Sequence, residues 1–134
     1  MVKKAETEKI TINLNPITLG YIDLLVENGR YSNRTEFIKD AIEKNLSLNQ
    51  KIIESNTPEA TQGLGYFTTI GVHKIDNEMI QEKLQRGEKI HVWTLGMLVV
   101  KKDVAPQDFI NVVEQIKVYG VFKGPAEIKK YYNL

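Results

Sequence analysis

Three polar residues near the start of the chain, Lys9, Thr11 and Asn13, have the types and spacing of a recognition surface. They alternate with apolar residues from Lys9 to Leu14, and this period of two predicts a strand with one polar and one apolar face. Lysine donates hydrogen bonds, threonine and asparagine both donate and accept them, and all three would point the same way. We therefore expect this row to bind a partner through directional hydrogen bonds.

A second candidate site lies at Ser32, Asn33 and Arg34, where a helix is expected to begin. Asn33 followed by Glu36 is the spacing of a capping box, which satisfies amide groups in the first turn of a helix. The free amides and the positive end of the helix dipole favour an anion there, and Arg34 adds a full positive charge. A helix N-terminus of this kind can serve as an anion site.

Two short helices would position both candidate sites. Asn15 and Pro16 suit the start of the first helix, and Gly29 suits the left-handed residue that follows its end. Apolar residues recur at helical spacing in each helix and complete an apolar set with the strand. That predicted core consists of Ile10, Ile12, Leu14, Leu19, Ile22, Phe37, Ile38 and Ile42.

One strand and two helices of this size are an incomplete unit. A lone strand has two unpaired edges, and a segment of roughly 40 residues buries too little apolar surface to fold alone. A second copy would pair the strand antiparallel with its mate and bury both apolar rows. The resulting two-stranded ribbon, with its polar row doubled, fits the major groove of DNA.

This stretch resembles the ribbon-helix-helix family of Arc, MetJ and CopG type. The likeness lies in the strand KITINL, in Pro16 and in the segment from Gly29 to Ala41, and it covers roughly the first third of the chain. It implies a dimeric regulator of transcription, such as a repressor, bound to double-stranded DNA. It also implies base contacts from Lys9, Thr11 and Asn13, and phosphate contacts from Lys4, Ser32, Asn33 and Arg34.

Composition sets wider bounds on the 134 residues. The formal net charge is +1, and residues 1–50 carry seven basic and seven acidic side chains, so DNA affinity would depend on where the charges lie. The chain has no cysteine, no run long enough to cross a membrane and no apolar signal segment at its start. We expect a cytoplasmic protein that binds no membrane. No motif of an enzyme active site is present, so we expect no catalysis.

The remainder of the chain contains a weak repeat. Residues 51–65 read as a linker, and an apolar-glycine-apolar step then recurs at Gly71, Gly96 and Gly120, which are 25 and 24 residues apart. A helical pattern follows each step. The three patterns run from Ile75 through Leu84, from Val104 through Ile116 and from Pro125 through Tyr132. The overall fold class is then α+β, in which residues 66–134 form a small parallel β/α stack with regulatory or oligomerisation roles. The alternative is a βαββαβ sandwich, with residues 89–102 split into two strands at Gly96.

The C-terminal residues point to no cofactor. His73 and His91 are the two histidines of the chain, and without cysteine they make a poor metal-binding set, so we expect no metal. Two hypotheses for the whole protein remain. It is either a regulator with a folded C-terminal domain, which senses a signal or drives higher assembly, or an antitoxin-like module whose C-terminal part masks a toxin. Antitoxin tails tend to be disordered alone, and the apolar periodicity of residues 66–134 favours the regulator.

Overall fold

The computed structural model describes residues 7–58 and 65–134. The chain divides into two compact units between Thr57 and Pro58, which we call the N-terminal and C-terminal units. The boundary falls inside the segment that the sequence marks as a linker.

The first helix, α1 (Pro16–Glu27), begins and ends where its signals predict. The Asn15 side chain accepts a hydrogen bond from the Ile17 amide at 2.8 Å, and Pro16 occupies the first turn. At the other end Gly29 has a φ of 76°, and the amides of Gly29 and Arg30 each donate to helix carbonyls at 3.0 Å. This is the pairing of a Schellman motif, which closes a helix with a left-handed residue.

Two further helices follow, α2 (Arg34–Leu48) and α3 (Gln50–Ser55). Asn33 caps α2 by accepting a hydrogen bond from the Glu36 amide at 2.9 Å, as the capping-box spacing predicts. The start of the predicted linker is therefore helical, because α3 covers residues 51–55. Asn49 separates the two helices, and its amide donates to carbonyls of the last turn of α2.

Residues 7–15 form neither helix nor strand in the single chain. The predicted strand from Lys9 to Leu14 therefore has no hydrogen-bonded ladder among the described residues. A ladder requires a second strand, since the amides and carbonyls of a strand point sideways to a neighbour.

The C-terminal unit alternates strands and helices, and its three strands form one parallel sheet in chain order. Its elements are β1 (Tyr66–Ile75), α4 (Asn77–Gln85), β2 (Ile90–Val100), α5 (Pro106–Val112), β3 (Val113–Lys123) and α6 (Ala126–Tyr131). The predicted parallel β/α stack is confirmed. The alternative βαββαβ sandwich is wrong, because β2 runs unbroken through Gly96 and both strand pairings are parallel.

The helix predicted after Gly96 is too long at its C-terminal end. The pattern predicts a helix through Ile116, but α5 ends at Val112 and β3 begins at the next residue. Val112 and Val113 are both buried, and Val113 already pairs with Ile90 of β2. An apolar valine pair fits a helix stripe and a buried strand equally well, so periodicity alone does not place this boundary.

The three repeat glycines form a column across the sheet. Gly71 pairs with Gly96, and Gly96 pairs with Gly120, with φ values of 119°, 132° and 121° respectively. A Cβ atom on Gly96 would lie 2.2 Å from the Gly71 carbonyl oxygen, and one on Gly120 would lie 2.1 Å from the Gly96 carbonyl oxygen. Only glycine combines this positive φ with this close approach of neighbouring backbones.

The three helices cover one face of the sheet. Ile80 of α4, Phe109 of α5 and Ile128 of α6 are fully buried and pack in one cluster with Ile90 and Leu98 of the central strand. The described helices include none that is both long enough and apolar enough to cross a membrane.

Candidate nucleic-acid interface

The polar row predicted to read a partner lies immediately before α1. Lys9, Thr11 and Asn13 are all exposed to solvent, so their donors and acceptors are accessible. Lys4, predicted to contact phosphate, lies outside the described residues.

The apolar residues between them face a groove. Ile10, Ile12 and Leu14 keep 74%, 57% and 40% of their surface exposed, although each is a large apolar side chain. They line a groove of about 530 Å³ whose other walls come from α1, from α2 and from Asn49. The remaining lining residues are Thr18, Ile22, Phe37, Ile38, Ala41, Ile42, Asn45, Leu46 and Asn49.

The groove collects most of the predicted core. Seven of its eight members line it, with Ile22 buried and Ile42 still 47% exposed. The eighth, Leu19, is partly buried elsewhere in α1. Sequence periodicity missed the polar groups Asn45 and Asn49 at the groove, because a helix stripe is recognised by its apolar members alone.

The N-terminus of α2 exposes all three residues predicted at an anion site, Ser32, Asn33 and Arg34. The Asn33 side chain is occupied as the helix cap, so it satisfies the Glu36 amide. The earlier amides of the first turn have no partner within the helix and point toward its open end. These free amides can donate hydrogen bonds to a phosphate oxygen.

The Arg34 side chain is held by an acidic residue of α1, which no pattern in the sequence indicates. Its Nε and Nη2 atoms each donate to a carboxylate oxygen of Asp23 at 2.8 Å, a two-pronged ion pair between helices. The hydrogen bonds from Arg34 lower the pKa of the Asp23 carboxyl and raise the pKa of the guanidinium. The two residues are eleven positions apart in different helices, so no helical spacing rule pairs them. Within residues 7–58 and 65–134 the Nη1 group of Arg34 makes no hydrogen bond, and it can donate to a further acceptor.

The turn before α2 is fixed by an aromatic anchor. The Tyr31 hydroxyl donates to the Asp40 carboxylate at 2.7 Å, and its ring meets Phe37 edge to face with centroids 5.2 Å apart. The carboxylate of Asp40 accepts hydrogen bonds from Lys44 and from Tyr31, and both lower the pKa of Asp40, with Lys44 having the larger effect. These contacts connect Tyr31, which precedes the cap residue, to two residues of α2 that follow it. They therefore orient the helix N-terminus.

The two histidines of the C-terminal unit lie on opposite faces of the sheet. His73 pairs in register with buried Leu98 on the helix-covered face, and burial lowers its pKa. His91 pairs with Tyr66 on the other face, where the two rings stack at 4.7 Å and Nε2 lies 3.2 Å from Glu114. They cannot share a metal ion, and within residues 7–58 and 65–134 no three potential ligands cluster.

Comparison with known proteins extends the resemblance well beyond the first third of the chain. The model of the ribbon-helix-helix transcriptional regulator family matches residues 5–129, and therefore includes both units. No curated protein and no solved structure matched the chain. The match covers most of the chain, and the chain therefore belongs to the ribbon-helix-helix transcriptional regulator family.

Proposed function

We propose that the protein is a homodimeric, sequence-specific regulator that inserts a two-stranded ribbon from residues 9–14 of both copies into the major groove of DNA. The observation that carries this proposal is the apolar groove of the N-terminal unit. Ile10, Ile12 and Leu14 line this groove, and in the single chain they keep between 40% and 74% of their surface exposed. A second copy would cover it.

Burial of apolar surface supplies the free energy for this pairing. Fully burying one large aliphatic side chain stabilises a fold by roughly 1.5 to 3 kcal/mol. Ile10, Ile12 and Leu14 occur twice in a symmetric pair, which multiplies that gain. Pairing the two segments also satisfies backbone amides and carbonyls that otherwise bind only water. The same geometry directs Lys9, Thr11 and Asn13 of both copies outward.

Electrostatics assigns different tasks to the two candidate sites. Basic and acidic residues balance over positions 1–50, so this unit has no general excess of positive charge to attract DNA. The ribbon row would read base edges, whereas the α2 N-terminus and Arg34 would position the dimer on the phosphate backbone. Asp23 keeps the Arg34 guanidinium in one place while leaving Nη1 for a phosphate oxygen.

The folded C-terminal unit favours a regulator over an antitoxin-like module. Its sheet has an apolar cluster shared by all three helices, whereas a toxin-masking tail is expected to order only on its partner. Selection of bound sites from random duplexes tests the proposal as a whole, because a twofold-symmetric site is expected from a symmetric ribbon. Recovery of no preferred duplex would contradict it.

Replacing Asn13 by alanine should reduce sequence discrimination. The amide can both donate to and accept from a base edge, and alanine can do neither. We expect the selected site to lose about 1 to 3 kcal/mol of binding free energy while binding to scrambled duplex changes little. Binding isotherms on both duplexes measure the difference. Equal weakening on the two duplexes would show that the ribbon does not read the bases.

Replacing Arg34 by alanine should weaken binding to all duplexes alike. Each neutralised phosphate releases roughly one counterion, so the slope of log affinity against log salt should fall by about one unit for each phosphate that Arg34 neutralises. Lys44→Ala is the matched control, because Lys44 forms a comparable exposed ion pair with Asp40 at 2.9 Å, further along the same helix. Titrations at several salt concentrations should show the smaller slope for Arg34→Ala alone. An unchanged slope would remove Arg34 from the phosphate site.

A further inference from the structure

The sheet of the C-terminal unit has a second face that none of the three helices of that unit covers, and we call it the open sheet face. It consists of the odd-numbered residues of β2 from 91 to 99 and their register partners in β1 and β3. Seven apolar or aromatic side chains form its centre: Ile70, Val72, Trp93, Leu95, Met97, Tyr119 and Val121. None of the seven belongs to the cluster under the helices.

This face is more exposed than a parallel sheet normally tolerates. Ile70, Tyr119 and Val72 keep 69%, 51% and 47% of their surface accessible. Parallel sheets occur almost entirely with both faces covered, because their strands carry apolar residues on both sides. Contiguous exposed apolar side chains of this kind mark an interaction surface.

The chemistry of the face selects an apolar occupant. Its centre is largely aliphatic, from Ile70 and Val72 through Leu95 and Met97, and aliphatic side chains offer no plane on which bases could stack. Trp93 and Tyr119 already pack on each other with ring centroids 5.7 Å apart. Lys117 lies with Nζ 5.1 Å from the centroid of the Tyr119 ring. Three lysines, Lys74, Lys117 and Lys123, lie on the same face around this aliphatic centre. A single-stranded nucleic acid would find positive charge there, but no stacking plane at the centre of the face.

The area of the open sheet face suits a partner that another interface already holds close to it. Three strands about 4.8 Å apart and ten residues long present roughly 450 Å² each, so two such faces bury somewhat less than the ~1,200 Å² of a standard interface. A face of this size is too small to hold two free proteins together firmly. It is sufficient when another interface already joins the two chains and raises their effective concentration.

We propose that the open sheet face packs against the same face of a second copy of this chain, so that the protein dimerises through both units. This inference rests on the ribbon dimer proposed above, which supplies the second copy. A twofold axis crossing the central strand would bring Leu95 of both copies close together. Trp93 would pass from half-buried to buried.

The sole tryptophan of the chain makes the pairing measurable in the full-length protein. We expect acrylamide to quench Trp93 emission weakly in the wild type and several-fold more strongly in Ile70→Lys, which places a charge at the centre of the face. Tyr131→Lys is the matched control, because Tyr131 is 63% exposed on α6 and lies away from this face. Acrylamide should quench Trp93 emission in Tyr131→Lys as weakly as in the wild type.

A cross-linking experiment avoids any effect of Ile70→Lys on folding. Because the chain has no cysteine, Leu95→Cys introduces a unique thiol, and mild oxidation with copper phenanthroline should join the two adjacent thiols across the axis into a disulfide-linked dimer. Tyr131→Cys should remain uncrosslinked. Absence of the Leu95→Cys product would overturn the pairing, and so would wild-type quenching as strong as that of Ile70→Lys.

Two further results separate this inference from the proposed function. If Trp93 becomes protected only when a single-stranded oligonucleotide is added, the face binds nucleic acid and the pairing is overturned. A wild-type protein that sediments as a dimer and binds duplex DNA while its Trp93 is freely quenched would overturn the pairing alone. Failure of the ribbon dimer would instead be seen as a monomer by sedimentation that binds no preferred duplex.

Discussion

Replacing Ile12 by lysine should abolish both dimerisation and DNA binding. Ile12 lies mid-way along the exposed apolar row and lines the groove that a second copy would cover. In the dimer the lysine would place an unpaired ammonium in the shared core, at a cost of roughly 3 to 5 kcal/mol for each copy. Sedimentation at micromolar concentration should show loss of the wild-type dimer, and circular dichroism should show loss of helix from the N-terminal unit.

Leu48→Lys is the matched control for this variant. Leu48 ends α2 with 83% of its surface exposed and does not line the groove, so the same change in chemistry should leave assembly intact. An Ile12→Lys protein that sediments and binds DNA like the wild type would contradict the ribbon dimer. Loss of the dimer in both variants would show that added charge alone disrupts it.

Replacing Gly96 by alanine should strongly destabilise the C-terminal unit. The new Cβ would lie 2.2 Å from the Gly71 carbonyl oxygen, and this neighbour is backbone, so no flexible side chain can move aside. Backbone strain at a positive φ and overpacking each cost about 1 to 3 kcal/mol, so we expect a loss of roughly 2 to 6 kcal/mol in the free energy of unfolding. Urea denaturation followed at Trp93 measures it.

Gly71→Ala separates the two contributions. Its φ of 119° carries the same strain, but its Cβ would meet no atom within 4 Å. It should therefore lose only the part due to backbone strain, about 1 to 3 kcal/mol. Equal losses in the two variants would show that close approach of the strands is not what requires glycine at Gly96.

Local signals predicted both ends of α1, the start of α2 and the alignment of the repeat glycines well, because each depends on neighbouring residues. Asn15 and Asn33 cap the helices that their positions predict, and Gly29 ends α1 in the left-handed conformation. The register of Gly71, Gly96 and Gly120 follows from their spacing, since each repeat places its glycine at the same height in the sheet.

Features that depend on distant residues were not predictable in this way. The Asp23–Arg34 ion pair depends on how α1 and α2 cross, and no spacing within either helix encodes that angle. The end of α5 depends on Val113 pairing with Ile90, a contact 23 residues away in the chain. The sequence leaves open whether Ile52 and Ile53 continue the second helix, because Lys51 to Ser55 is short and polar at both ends; the structure places them in α3.

The column of Gly71, Gly96 and Gly120 also limits which insertions and deletions the C-terminal unit can tolerate. Inserting one residue within β2 would move Gly96 out of step with both neighbours and bring side chains where backbones now nearly touch. The repeats of 25 and 24 residues differ by one, and the far end of the sheet tolerates such a change, since the pairing of β2 with β3 shifts by one residue between Ile90 and His91. Duplication or deletion of a whole strand-helix repeat would keep the remaining glycines aligned, so relatives with longer or shorter C-terminal units should differ by about one repeat of this length at a time.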